Sequence, residues 1–344
     1  MKTTLLRVGY PEIKTPSPTG DGLGARLTTL SRKKNIVAKL LQGKEPDGLS
    51  EKRPGNRTRT MKNLSMATWN VKTMSQPGKM NEIADEIKKF KINILAVQET
   101  RWPGQGRIDK RDYTMFYSGS EARTGQCGTG FMIDKQARKS FMNFEPIDDR
   151  MFKIRFRGRF RNTTLISVYA PTEVCSEEEK HTFYNNLQDE CFKVPKYDIL
   201  IILGDFNAQI GTEDFLKDIA GKHTLHTQTN DNGKLLAELA TTNNLLIKST
   251  FFDHKRIHKG TWKIPGTQET NQIDHVLVSK RYGSSVIDVK SARGPNCDSD
   301  HYMVRIKMKD KLAKVHRMES NKRIKWNVDV LKDSAQIKKN IKIT

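Results

Sequence analysis

The chain has 344 residues, 35% of them apolar, and a formal charge of +22. That length admits one large domain or two ordinary ones, and the charge points to a polyanionic partner. No apolar run has signal-peptide or membrane-span length, so stable membrane insertion and secretion are not expected, and a nuclear or cytoplasmic address is.

The surplus charge is uneven. Residues 1–63 carry 14 Lys/Arg against 5 Asp/Glu, residues 307–344 carry 12 against 4, and the middle carries 35 against 30. Residues 1–63 therefore read as a basic, mostly disordered N-terminal region, with a short helix near Asn35–Leu41. Residues 64–308 read as the folded domain, and 309–344 as a basic tail or linker. Cys127, Cys175, Cys191 and Cys297 form no Cys-x-x-Cys pair, which fits free thiols in a reducing compartment better than a zinc site.

The domain opens with a strand over Met66–Val71. Lys79–Lys91 follows, with Met80, Ile83, Ala84, Ile87 and Phe90 on one helical face, and then a buried strand over Asn93–Thr100. Strand, helix, strand within about thirty-five residues is α/β grammar. Tyr113–Ser118, Gly128–Asp134, Met151–Arg157 and Thr163–Tyr169 then read as strands on short connections, which suggests antiparallel neighbours. Within them Lys153, Arg155 and Arg157 alternate with apolar residues. This puts cations on one face, exposed to solvent or turned toward nucleic acid. Ser176 caps a helix to Phe192, its first turn holding Glu177, Glu178 and Glu179.

Ile199–Leu203 is an unbroken aliphatic run, the signature of a strand buried on both faces. Gly204-Asp205-Phe206-Asn207 follows, with Gly204 expected where the backbone turns. A helix is expected over Lys234–Thr242, and strands over Leu245–Phe251, Ile273–Ser279 and His301–Met308. In the tail, Ile324–Val330 alternates apolar and polar residues without an obvious partner.

Strand ends repeatedly deliver oxygen ligands or phosphate-contacting groups. They are Trp69-Asn70, Gln98-Glu99-Thr100, Tyr169-Ala170-Pro171, Asp205-Phe206-Asn207, Asp274-His275 and Ser299-Asp300-His301. Each is an ordinary turn or cap alone; six in order, each beside an apolar strand, are hard to produce by chance. The set resembles the endonuclease/exonuclease/phosphatase superfamily over roughly residues 64–308. Ala67–Val71, Cys127–Phe131 and Tyr169–Thr172 are more narrowly similar to the endonuclease domains of RTE-type non-LTR retrotransposons and to the craniofacial development protein 2-like sequences.

That resemblance implies a four-layer α/β sandwich, two mixed β-sheets face to face with helices outside. It implies a magnesium-dependent endonuclease that nicks DNA, with manganese as the alternative cation. It assigns metal contacts to Asn70, Glu99 and Asp300, water activation to Asp205, and phosphate or water contacts to Asn207, Tyr169 and His301, the last oriented by Asp274. Thr261-Trp262 matches the family's Thr-Trp motif, with the Trp expected in the core. Three departures from repair enzymes stand out: Lys72 where several carry an acid, Thr172 where Asn is frequent, and His275 where Tyr is frequent. They suit a retroelement nickase better than abasic-site repair. The rival readings are a phosphatase for phosphoinositides or other small phosphoesters, and a non-catalytic nucleic-acid-binding relic.

Overall fold

The computed structural model of the chain describes residues 63–122, 125–309 and 311–313. The helix expected near Asn35–Leu41 and the alternating run at Ile324–Val330 lie outside them.

The chain begins with β1 (Leu64–Asn70), helix α1 (Lys79–Lys89) and β2 (Ile94–Gln98), then β3 (Gln105–Asp109), β4 (Tyr113–Ser118) and β5 (Thr129–Asp134). It crosses to a second sheet with β6 (Phe141–Pro146), β7 (Met151–Phe156), β8 (Thr163–Tyr169), helix α2 (Glu177–Lys193) and β9 (Ile199–Asp205). Helix α3 (Asp231–Thr242) leads to β10 (Leu245–Ile247) and a small hairpin, β11 (Trp262–Lys263) with β12 (Thr270–Asn271). β13 (Asp274–Ser279) rejoins the second sheet; β14 (Val286–Ala292) and β15 (Met303–Met308) rejoin the first.

The first sheet runs β14-β15-β1-β2-β5-β4-β3 and the second β10-β13-β9-β8-β7-β6. Each contains one parallel pair bridged by a helix, β1–α1–β2 and β8–α2–β9; the other pairs are antiparallel. The expected four layers follow from side-chain parity. Met66, Ile94, Phe131, Leu165, Ile201, Leu203, Val276 and Ile306 meet between the sheets. Ala67, Trp69, Leu95 and Val97 point the other way, onto Ile83 and Ile87 of α1. Ile166, Val168, Leu200, Ile202 and Leu277 back onto Phe183 and Leu187 of α2 and Leu236 of α3.

Several local expectations shift. The strand expected over Leu245–Phe251 stops at Ile247, because the Thr250 hydroxyl caps the Ile247 carbonyl at 2.7 Å and Lys248–Thr250 closes a 3-10 turn. Helix α3 starts three residues early, since Asn230 accepts the Gly233 N–H at 2.8 Å. Ser176 caps α2 as expected. Gly204 makes no turn; it lies within β9, where a Cβ would collide with the Val168 carbonyl oxygen on the neighbouring strand. The cations of β7 face α2. Lys153 pairs with Glu190 at 2.6 Å, and Arg155 grips buried Asp198 at 2.7 and 2.9 Å, so of the three only Arg157 is exposed. Packing continues past Met308: Leu312 bridges to Gly158 and sits against the inter-sheet core. Among the described residues no helix is long and apolar enough to cross a membrane, and all four cysteines are free.

Candidate active site

The inward rows of the central strands are mainly apolar at mid-strand and turn polar toward one end. In β9, Ile199, Ile201 and Leu203 join the inter-sheet core, and Asp205 is next in that row. β13 opens its row with Asp274 before Val276 and Val278. β1 closes with Asn70, β2 with Gln98, and β8 with Ser167 and Tyr169. The core of the sandwich therefore turns polar in one layer at one end. Strand register makes that layer flat: Tyr169 pairs with Asp205, and Asp205 with Asp274, across three neighbouring strands.

The two sheets are tied there by hydrogen bonds. The Asn70 amide donates to Asp205 Oδ2 at 3.0 Å, across the sandwich, and to Glu99 Oε1 at 2.8 Å. Gln98 donates to Ser167 at 3.0 Å and accepts from Thr68 at 3.1 Å. Asp205 Oδ1 accepts the Asn207 N–H at 3.1 Å. Such a buried layer is stable because its polar groups have partners.

His301 completes it from the first sheet. Its Nδ1 donates to Asp274 Oδ2 at 3.1 Å, and its Nε2 lies 3.7 Å from Asp205 Oδ2. The second distance is too long for a hydrogen bond, so Nε2 keeps a donor for another acceptor. The main chain around His301 is anchored three ways. Trp69 Nε1 donates to its carbonyl at 3.0 Å, Ser299 Oγ accepts its N–H at 3.1 Å, and the same Oγ donates to the Asn70 carbonyl at 2.7 Å.

Burial shapes the titration here. Burial drives the Asp205 carboxyl upward, the Asp274 charge adds to that, and His301, Asn70 and the Asn207 N–H pull back without cancelling it. For His301, burial alone would lower the imidazole; the charges of Asp274 and then Asp205 outweigh it and hold it up at about 9. Burial, then the Glu99 and Asp205 charges, push the Tyr169 phenol far up, so it stays a hydrogen-bond donor.

The backbone is strained around this layer. Eight described non-glycine residues have positive φ. Lys91 and Asn244 close helices, whereas Lys72, Glu99, Arg101, Cys127, Asn207 and Asp298 lie in loops flanking strands β1, β2, β5, β9 and β15. Left-handed φ in such residues persists where the surroundings enforce it, and it gathers at functional sites.

The structure thus brings together Asn70, Glu99, Tyr169, Asp205, Asp274 and His301. Asp300 stands apart: its carboxylate accepts from Trp262 Nε1 at 3.3 Å and lies 3.9 Å from Lys72 Nζ. Trp262 is half-buried rather than core. Two of the expected side chains are engaged with protein partners. Asn70, expected to lend an amide oxygen to the metal, turns its amide hydrogens to the Asp205 and Glu99 carboxylates, while its oxygen accepts the Lys72 N–H at 2.9 Å. Asn207 donates its amide to the Ala170 carbonyl at 3.0 Å, which fixes the loop after β9.

Arg101 was not anticipated. It pairs with Glu99 at 2.9 Å and leaves that carboxylate partly open. His275, one of the departures, is fully buried on the opposite face of β13. Its Nε2 must carry the proton, since it meets the Ala208 carbonyl at 2.8 Å, and Nδ1 then accepts from Ser249 Oγ at 2.8 Å. His275 therefore braces the loop that follows Asp205.

The donor chemistry fits a divalent cation. One ligand atom each from Asp205, Asp274 and His301 lies within 4.8 Å of the others, and Glu99 adds a hard oxygen donor.

The profile of the endonuclease/exonuclease/phosphatase family matches residues 67–301, from the first strand to His301. The chain belongs to this family. Among curated family relatives, craniofacial development protein 2 of Bos taurus is 32% identical over 271 residues, 79% of this chain and 45% of that protein. The Tragulus javanicus protein of the same name is 33% identical over 247 residues, 72% of this chain and 42% of that one. The chain thus spans less than half the length of these relatives. The family fold recurs in the endonuclease domain of TRAS1, a telomere-specific non-LTR retrotransposon. That domain is 14% identical with a TM-score of 0.51, over 72% of this chain and 98% of the domain. The Xenopus laevis APE2 catalytic domain is 15% identical with a TM-score of 0.56, over 74% of this chain and 94% of that one.

Proposed function

We propose that the chain is a magnesium-dependent phosphodiester hydrolase that nicks DNA, descended from a retroelement endonuclease. The observation that carries this reading is the buried row Tyr169–Asp205–Asp274, with His301 pinned between its two carboxylates. A row of acids and donors at the end of an apolar sandwich has a use in water attack on a phosphate, which needs a base, a donor and charge neutralisation in one place.

In this reading Asp205 takes the proton of the attacking water. Asn70 and the Asn207 N–H hold its carboxylate in one orientation while it does so. His301, steered by Asp274, donates from Nε2 to a non-bridging phosphate oxygen, and Tyr169 donates from its phenol. Glu99, whose carboxylate stays partly open, would hold the cation, magnesium or in its place manganese, and Asp300 would join it only by leaving Trp262 and Lys72; bound there, the cation would supply charge neutralisation to the phosphate. The Lys72 cation beside Asp300 favours one metal over two.

DNA as the substrate is supported by the basic charge and by the likeness to the telomere-specific endonuclease domain named above. The retroelement origin is supported by the TRAS1 domain and by the local motifs. A panel of supercoiled plasmid, single-stranded RNA, abasic duplex and inositol polyphosphate, each with and without chelator, tests the reading. Plasmid nicking should be fastest and should stop with chelator. Faster release of phosphate from the inositol substrate would instead make the chain a phosphatase.

A further inference from the structure

The other end of the sandwich carries a second, different surface. There the turn from β7 to β8 reads Arg157-Gly158-Arg159-Phe160-Arg161. All three arginines are exposed, and none has a carboxylate partner among the described residues. Phe160, at the tip, is 85% exposed, with the Arg159 guanidinium 5.3 Å from its ring.

Neighbouring segments continue the pattern. Asn162 accepts the Ile199 N–H at 2.9 Å, and Thr163 pairs with Ile199 in parallel register. Two residues before each of those partners stand Arg161 and Tyr197, the latter 77% exposed. On the other side Arg161 hydrogen-bonds the Tyr282 hydroxyl and stacks 5.0 Å from its ring, with Arg281 5.7 Å from the same ring. The backbone of 311–313 pairs along Arg157 and Arg159 and holds the turn in place.

A lone exposed aromatic means little. Aromatic rings interleaved with guanidinium groups across adjoining turns have a specific chemical complement: a flexible polyanion that also offers flat faces. We infer that this end binds single-stranded nucleic acid, phosphates on the arginines and bases on Phe160 and Tyr197. The inference stands on this surface and not on the catalytic reading. β9 separates the two ends: its seven residues run from Ile199 beside this surface to Asp205, about 20 Å along a strand. An anionic bilayer is the competing partner, but guanidinium planes already stacked on rings favour bases over lipid headgroups.

The test uses the full chain with chelator present, so that no substrate is cut. Fluorescence anisotropy measures binding of dT and rU oligomers of about twelve nucleotides, of an inorganic polyphosphate of matching charge, and of vesicles with and without phosphatidylserine. Phe160→Ala changes no charge and removes only an exposed ring. It should weaken oligonucleotide binding five- to tenfold, leave polyphosphate binding unchanged, and leave the melting temperature and the cleavage rate as they were. Arg159→Ala with Arg161→Ala should weaken both polyanions and flatten the salt dependence for the oligomers. The dT and rU arms say which nucleic acid is preferred. Equal oligonucleotide affinity for wild type and Phe160→Ala would overturn the inference. So would a loss seen only with phosphatidylserine vesicles.

Discussion

The two ends of β9 show how one strand serves opposite chemistries. At Asp205 the inward row ends in a carboxylate that is buried, hydrogen-bonded on both oxygens and facing a second acid. At Ile199 the adjoining turns end in exposed cations and rings without carboxylate partners among the described residues. The first end is costly to build, since it removes charge from water, and is stable because its carboxylates are met by hydrogen-bond donors and by the His301 imidazole. The second costs little, since its groups remain solvated. Substitutions at the first end should therefore cost activity or folding, and those at the second should cost only binding.

The largest expected effect is on chemistry. His301→Ala removes the donor that Asp274 orients, and should lower the turnover of DNA nicking about a thousandfold; it also leaves two buried carboxylates without their cation, so the melting temperature should fall as well, and the rate is compared at a temperature where both proteins are folded. Single-turnover nicking kinetics check it; a loss under tenfold would make His301 structural. Next comes folding. Gly204→Ala drives a methyl group into the Val168 carbonyl, and should destabilise the domain by about 3 kcal/mol or more, read by urea denaturation.

A pH effect sharpens the contrast between two buried histidines, His275 on β13 of the second sheet and His301 just before β15 of the first. Burial, the largest influence, pushes His275 down to about 4, against the pull of its Ala208 hydrogen bond. Above an ordinary value of about 6.5, folded and unfolded chains are both neutral at this residue, and its full contribution to stability is present. As pH falls from there toward about 4, the unfolded chain takes a proton that the folded one refuses, so stability drops. Between pH 7 and 5 the loss should be roughly 2 kcal/mol, and His275→Gln should remove that slope. Equal slopes in both proteins would show that another group titrates. The smallest effect lies at the far end: Phe160→Ala should change folding stability by less than about 0.5 kcal/mol.

Legibility in the sequence followed burial. The interior strands were readable because both their faces are apolar, as in Ile199–Leu203, or because their alternation is clean. The edge strands were not. No local pattern marks β3, β6 or β14, and the residues from Leu245 suggest a longer strand than β10 forms; these four are the outer strands of the two sheets. An edge strand has one neighbour and mixed exposure, as the alternation of Gln105–Asp109 shows, so no apolar run marks it. The residues converging at the site were visible as polar groups at strand ends, but their orientation was not. Whether Asn70 presents oxygen or hydrogen depends on Lys72, Glu99 and Asp205 together, which no local pattern encodes. The cations of β7 read as solvent or nucleic-acid contacts because Glu190 and Asp198, their partners, come more than thirty residues later.

The most direct measurement is conversion of supercoiled plasmid to nicked circles by the purified chain in magnesium, with Asp205→Asn alongside. The isosteric amide keeps the shape of the site and removes the base. Wild type should nick, stop when the cation is chelated, and outpace Asp205→Asn by about a thousandfold. Nicking that survives Asp205→Asn, or no nicking by wild type in magnesium or manganese, would contradict the account.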